Sequence, residues 1–478
     1  MNSPLETHIQ NQVLIRPTKF SDDLKHNNKT FQHRADYYEM IKYINTFLDE
    51  DTNNRYFLLP GIRGVGKTTI LIQLYEYLTK EKQVSPTDIL YITGDNLKRM
   101  SNSSIMDGIN SYLDIFHNAT VESIDKKIFL LIDEAQHDKD WSIVGKILYD
   151  TSKNIFMIFS GSSALELEYN ADSARRMLKM PVCPLTYSQH LKLKYDYFKN
   201  TISKEIIDLI FTGKLPERNL DIEILNIYSS FKNYNPKELE CFMQYGGFPS
   251  SFNQNTNETI KTVIDMINKV ITTDIDNLKG INGQTTYLAS QLLYFFALQN
   301  PGEISKGSMA NHLDSNKMTI NKILELLEKT QLIFHIEPFT SSAKRTTKPF
   351  KYYFATSSLK HILSTNLGNA NLEAKEAYMG KLFENYVASS FFNLKNRSET
   401  MYNTYYDANK KNVDFLVQKG LETPVPIEVS WGKKNKSQVK TAMKKYKAPN
   451  GVIISNTTRK IVKEDNVIYL PIEIFSFM

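Results

Sequence analysis

The chain has 478 residues, and at about 100–200 residues per domain it divides into three or four units rather than one core. Its 41% hydrophobic and 23% charged residues are those of a soluble globular protein, and the longest apolar runs, such as "IFLLI" at 128–132, fall far short of the roughly 18 residues that span a bilayer. A net charge of +6 decides nothing alone, while two cysteines, nine unclustered histidines and a polar, Asn-rich N-terminus exclude a disulfide framework, a zinc spacing and a signal peptide, and point to the cytoplasm.

Residues 1–30 read as a polar N-terminal extension. The first chemical motif is "YFLLPGIRGVGKTTILIQLYEYL" (56–78), which contains G-x-x-x-x-G-K-T. An apolar strand, 56–59, precedes it, and Ile70, Leu71, Leu74 and Leu78 repeat at helical spacing after it, the context this motif needs. Its glycines let successive backbone N–H groups close on phosphate oxygens without a Cβ clash. Gly61, Ile62, Arg63, Gly64, Val65, Gly66, Lys67, Thr68 and Thr69 are therefore candidate ATP contacts. Lys67 is placed to neutralise the β- and γ-phosphates, and the Thr68 hydroxyl to ligate Mg²⁺.

"KKIFLLIDEAQHDKDW" (126–141) supplies the matching half. A buried strand, 128–132, ends in Asp133 and Glu134. Asp133 is the expected Mg²⁺ partner, and Glu134 the expected base for an attacking water. A further parallel strand, "NIFMIFSGSS" (154–163), ends in Ser160 and Ser162. Ser160 is favoured to contact the γ-phosphate or the water, with Ser162 the alternative, and a simple Gly/Ser turn is the competing reading. Arg175 and Arg176 are arginine-finger candidates, in cis or toward a neighbour, or else surface charges.

Residues 191–285 carry apolar positions at helical period and are expected to form an all-helical lid. "ISKGSMANHLDSNKMTINKILELLEKTQLIFHIEPF" (304–339) reads as helix, turn, helix, strand, with Ser305 as an N-cap and Ile320, Ile323, Leu324 and Leu327 as an apolar stripe. With the return strand "FKYYFATS" (350–357) this makes a winged helix over 286–362. The segment 338–361 has no acid, and in a winged helix Lys317 and Lys322 of the second helix and Lys344, Arg345 and Lys348 of that segment are candidate nucleic-acid contacts. A protein-binding winged helix is the alternative, because the second helix also carries Glu325 and Glu328.

From about 371 the order becomes helix, three strands, helix, strand. "PVPIEVSWGKK" (424–434) buries Glu428 in an apolar run, and residues 429–463 hold ten Lys/Arg and no acid, leaving 48 basic against 52 acidic residues elsewhere. Such a block is either a phosphate-binding footprint, beginning at Lys433 and Lys434, or a solvated lysine face.

"GIRGVGKTT", "LIDEAQHDKDW", "SGSSALELE", "CPLTYSQHL" and "YGGFPSSF" together resemble the prokaryotic AAA+-type ATPases of the archaeal ATPase group, over nearly the whole chain from about Arg34 onward. The family often has Phe and an acid where this chain has Tyr187 and Gln189. The resemblance implies a P-loop ATPase core at 31–190, the lid, the winged helix, and a restriction-endonuclease-like domain at 363–478. The expected class is thus α/β: a parallel P-loop NTPase sheet with a helical lid, a winged helix and a C-terminal α/β domain. That last domain is similar to PD-(D/E)xK nucleases, whose Mg²⁺-binding acids match Glu384, Asp414 and Glu428. The lysine of that motif is replaced by Ser430, and Lys433 or Lys434 would have to reach back. Serine neither activates a hydroxide nor offsets charge at neutral pH, so a fold retained for docking competes with an active nuclease. The expected activity is an Mg·ATP-driven switch acting on nucleic acid. The rivals are a regulatory NTPase that binds protein and an ATP-gated nuclease.

Overall fold

In the computed structural model a small hairpin, β1 (Lys25–His26) with β2 (Lys29–Thr30), precedes five parallel strands. These are β3 (Tyr56–Pro60), β4 (Ile89–Thr93), β5 (Ile128–Asp133), β6 (Ile155–Gly161) and β7 (Leu178–Lys179), in the order β4-β5-β6-β3-β7. The described residues are 3–27, 29–162, 175–197, 202–275, 283–299, 302–341, 345, 348–367, 375–408, 413–432 and 435–478. They fall into two units, 1–183 and 184–478.

In the first unit every residue of β3, β5 and β6 is buried, which is why these segments read as continuous apolar runs and not as alternating ones. β6 lies between β3 and β5, with Leu59 opposite Ser160 and Ile132 opposite Phe159. The register therefore ends all three strands at one edge, and Pro60, Asp133 and Gly161 emerge together there. Residues 1–30 are more than a polar extension. The helix Pro4–Leu14 starts with a Ser3–Glu6 capping box and buries Ile9 and Val13 in the same core as Leu90 and Ile109. The reason lies in the spacing: Leu5, Ile9 and Val13 recur every fourth residue and make one narrow apolar stripe on an otherwise polar helix.

The second unit is built on one mixed sheet. Its strands are β8 (Glu303–Ile304), β9 (Ile333–Pro338), β10 (Phe350–Phe354), β11 (Tyr402–Tyr406), β12 (Phe415–Lys419), β13 (Val425–Ser430), β14 (Gly451–Ser455), β15 (Val462–Glu464) and β16 (Val467–Pro471). The order is β15-β16-β14-β13-β12-β11-β9-β10-β8. Helices Gly283–Leu298, Lys306–His312 and Lys317–Lys329 interleave with β8, β9 and β10, whose pairing is antiparallel. Ser305 caps the second of these helices as expected. β9 then pairs in parallel with β11 at Glu337–Tyr405 and Pro338–Tyr406. The segments on either side of residue 363 thus share a sheet. The helices between 187 and 245 pack into a core with Phe415, Val425 and Ile427 of that sheet. Lys360, from the acid-free stretch, is buried, and its ammonium donates to the carbonyls of Phe296, Ala297 and Gln299 at 3.0–3.1 Å. It closes the C-terminal end of the helix Gly283–Leu298, where carbonyls lack partners. Among the described residues no helix is long and apolar enough to cross a membrane.

One buried acid organises the helices of this unit. Glu238, 1% exposed, accepts from His190 Nε2 at 2.7 Å, Lys194 Nζ at 2.6 Å and Tyr195 Oη at 2.8 Å. Burial alone would raise its pKa, but these bonds outweigh burial and lower it from 4.5 to about 2. The stabilisation is therefore complete above pH 4.5 and is lost as the pH falls toward 2. Glu238→Gln is expected to lose on the order of 3 kcal/mol at pH 7. In denaturant titrations that gap from the wild type should close below pH 4.5; a gap independent of pH would show that the charge is not what matters.

Candidate active site

The chain leaves β3 at Pro60 and turns at Gly61, where a Cβ would come within 2.4 Å of the Val182 carbonyl oxygen. Gly64 and Gly66 take φ of 81° and 99°, the region that costs other residues about 1–2 kcal/mol. Left-handed residues just before the N-terminus of the helix Lys67–Glu76 are the backbone pattern that forms a concavity of N–H groups. Such a concavity takes an anion. Ile62 and Val65 are buried beneath the loop, and Thr69 is half-buried. Lys67 is buried, with its ammonium donating to the carbonyls of Gly61 at 2.8 Å and Ile62 at 3.1 Å.

Thr68 Oγ1 donates to Asp133 Oδ2 at 2.6 Å. The Ser160 hydroxyl donates to Asp133 Oδ1, and Tyr91 Oη lies 3.4 Å from Oδ2. Burial first, and then the neighbouring Glu134, hold the Asp133 carboxyl above its ordinary range. A hydroxyl and a carboxylate at this spacing are hard oxygen donors suited to Mg²⁺, and a bound cation would supply the positive charge this buried acid calls for. Ser160 is wholly buried and meets the site through Asp133, so its hydroxyl is turned from the expected γ-phosphate or water contact to the acid. The reason is its place on β6, directly beside β5. Ser162 is also buried.

Glu134 takes φ of 51°, a left-handed conformation that a non-glycine residue holds only where its surroundings fix it. Its N–H donates to Asp133 Oδ1 at 3.0 Å. Its carboxylate accepts from Gln136 Nε2 at 2.5 Å and lies 3.4 Å from Arg63 Nη1. Gly94 permits this approach, since a Cβ there would be 2.7 Å from the Glu134 carbonyl.

Arg175 and Arg176 fall elsewhere. They precede β7, whose Leu178 pairs with Phe57 near the start of β3, so they lie at the edge of the sheet opposite the glycine loop. Arg176 is paired with Asp150 at 2.5 Å.

Arg34 carried no motif in the sequence, yet it is tied to the loop. It is 5% exposed and donates to the Val65 carbonyl at 2.5 Å, the Cys183 carbonyl at 2.8 Å and Asp36 Oδ2 at 3.1 Å. In a trans peptide C=O and N–H point in opposite directions, so anchoring the Val65 oxygen outward sends the Gly66 N–H into the cradle. Its carbonyl partners lie 31 and 149 residues away, which is why spacing gave no sign of it.

In the second unit Glu384 accepts from Tyr353 Oη at 2.8 Å. Burial, then Asp414, raise its pKa to about 7. Asp414 Oδ2 accepts from the Val429 N–H at 2.8 Å, and Glu428 is buried. Ser430, in the lysine's place, donates to the Gly432 carbonyl at 3.1 Å. Among the described residues no three His, Cys, Asp or Glu side chains are placed to hold a metal ion. Of the basic candidates, Lys317 and Lys322 are exposed on the helix Lys317–Lys329, and Lys348 is half-buried. Arg345 is drawn to Glu337 at 3.6 Å and lies over the Tyr405 ring. Lys344, Lys433 and Lys434 lie outside the described residues. Beyond them three lysines of the acid-free block have acid partners: Lys436 and Lys440 pair with Asp465, and Lys445 with Asp407, while Lys444, Lys447, Arg459 and Lys460 are exposed.

A parallel sheet with a glycine phosphate loop after β3 and an acid pair after β5 defines a P-loop nucleoside-triphosphatase fold, and residues 53–191 match the AAA domain family. Residues 236–372 and 379–475 match two domains of unknown function, DUF8612 and DUF4143. The uncharacterized protein MJ1637 of Methanocaldococcus jannaschii is 30% identical over 468 residues, 98% of this chain and 93% of that protein. The chain belongs to the family of that protein. An uncharacterized Haemophilus influenzae protein is 23% identical over 373 residues, 76% of this chain and 80% of its own length. Among solved structures, the Aeropyrum pernix ORC1 protein in complex with DNA is similar with a TM-score of 0.31 and 10% identity, over 76% of this chain and 98% of that one.

Arg34→Lys keeps the charge but loses the fork that serves two carbonyls and a carboxylate. Losing a charge-assisted bond of about 1.5–3 kcal/mol is expected to weaken ATP binding about tenfold to a hundredfold. Calorimetric titration of the folded variant checks this; wild-type affinity would mean that Arg34 does not set the loop.

Proposed function

We propose that the chain is an Mg²⁺-dependent ATPase whose cycle acts as a switch on nucleic acid. The observation that carries the ATPase reading is the hydrogen-bonded chain Thr68–Asp133–Ser160, with Glu134 held beside it. Loop N–H groups and Lys67 receive the phosphates, and Thr68 and Asp133 would hold a magnesium ion. Held there, the ion would supply positive charge against the charge of the phosphates. Glu134 accepts a proton from the attacking water, whose oxygen bonds to the γ-phosphorus as the bond to the β,γ-bridging oxygen breaks, leaving ADP and phosphate. Ser160 orients Asp133 rather than touching substrate.

For the cargo, the order helix–strand–helix–helix–strand–strand over 283–354 supports a winged helix that presents Lys317 and Lys322 to a phosphate backbone. A protein partner is the second reading, and one observation favours it: Met318, 82% exposed, sits beside Lys317 on the same helix. The C-terminal acids support a retained fold in preference to a nuclease, because Ser430 supplies no base.

Lys67→Ala is expected to abolish ATP turnover, and Glu134→Gln to bind ATP while hydrolysing it at least about a hundredfold more slowly. Phosphate release checks both; normal turnover in Glu134→Gln would assign the base elsewhere. DNA binding, if it runs through phosphates, should fall steeply as salt rises. No binding at low salt with ATP present would leave the protein-partner reading.

A further inference from the structure

We propose that Arg63 is the residue with which the site distinguishes a nucleoside triphosphate from a diphosphate, and that the same act releases the base. The inference rests on the ATPase reading above and names what makes the γ-phosphate felt. Arg63 is the third residue of the glycine loop. Its guanidinium reaches across to Glu134 at 3.4 Å, with the two side chains only 18% and 23% exposed. Glu134 follows Asp133, which is itself bonded to Thr68 of the loop. The Arg63–Glu134 contact therefore bridges the phosphate loop and the acid strand. A terminal phosphate must enter between those two elements if Glu134 is to deprotonate a water aimed at it.

In this arrangement the Glu134 carboxylate is engaged by Gln136 as well as Arg63, and a carboxylate so occupied is a poor acceptor for a water proton. A diphosphate ends within the N–H cradle and leaves the pair intact. A triphosphate brings further negative charge and planar sets of oxygens to the guanidinium, which binds phosphate through forked bonds. Arg63 then passes from carboxylate to γ-phosphate, and Glu134 becomes free to accept the proton. A ligand shifts such an equilibrium only through differential contact with the two states, and here the γ-phosphate is the difference. A simple surface ion pair is the competing account; it would contribute little and be blind to the nucleotide.

The test uses the full chain and measures binding of ADP and of a non-hydrolysable ATP analogue with Mg²⁺, by calorimetry, for wild type, Arg63→Ala, Glu134→Gln and the double variant. Arg63→Ala should leave ADP affinity within about twofold and weaken the analogue about tenfold or more, the worth of one charge-assisted bond. Glu134→Gln removes the competitor and should tighten analogue binding, but not when Arg63 is also replaced, a non-additivity the double variant reads directly. Equal effects on both nucleotides, or none on either, would overturn the proposal while the ATPase reading stands. A wild-type chain that binds neither nucleotide would overturn both.

Discussion

Asp133 is a buried carboxylate that accepts from Thr68 on the phosphate loop and from Ser160 on the neighbouring strand. The rest of the site depends on that meeting. Placing an acid out of water is unfavourable unless its oxygens are bonded, and the parallel register of β3, β6 and β5 is what brings the donors to it. A one-residue slip in β5 or β6 would turn Asp133 or Ser160 onto the other face. The apolar packing of the strands and the chemistry at their ends are thus one constraint. Arg34 extends it by fixing the loop's peptide orientation from behind.

The phosphate loop and the acid pair were legible because each is local: the glycines, the lysine and the flanking strand and helix lie within a couple of dozen residues. Strand order, Arg34 and the role of Ser160 were not, since each depends on partners far along the chain. The N-terminal helix was missed because three apolar residues spaced by four are easily lost in an Asn-rich segment. Among the C-terminal elements, β15 is three exposed residues with no apolar pattern to mark it, and β16 is a single short run of five residues.

Charge read along the sequence also misleads in a specific way. The acid-free run from 429 to 463 looks like a phosphate grip, yet three of its lysines, Lys436, Lys440 and Lys445, pair with Asp465, just beyond it, and with Asp407, well before it in sequence. Lys360 tells the same story from the other acid-free stretch: it closes a helix end. Among the described residues of the expected contacts, Lys317 and Lys322 are exposed on one helix. The single sheet running from β8 to β15 also joins that helix's strands to the C-terminal acids, giving the second unit one continuous frame.

The central claim is that unit 1–183 carries a site for magnesium-assisted hydrolysis of ATP. Phosphate release by the purified full chain, followed with ATP and Mg²⁺ and again with excess EDTA, tests it most directly. The account expects steady turnover in magnesium and none in EDTA. No turnover in magnesium, or equal turnover in both, would contradict it.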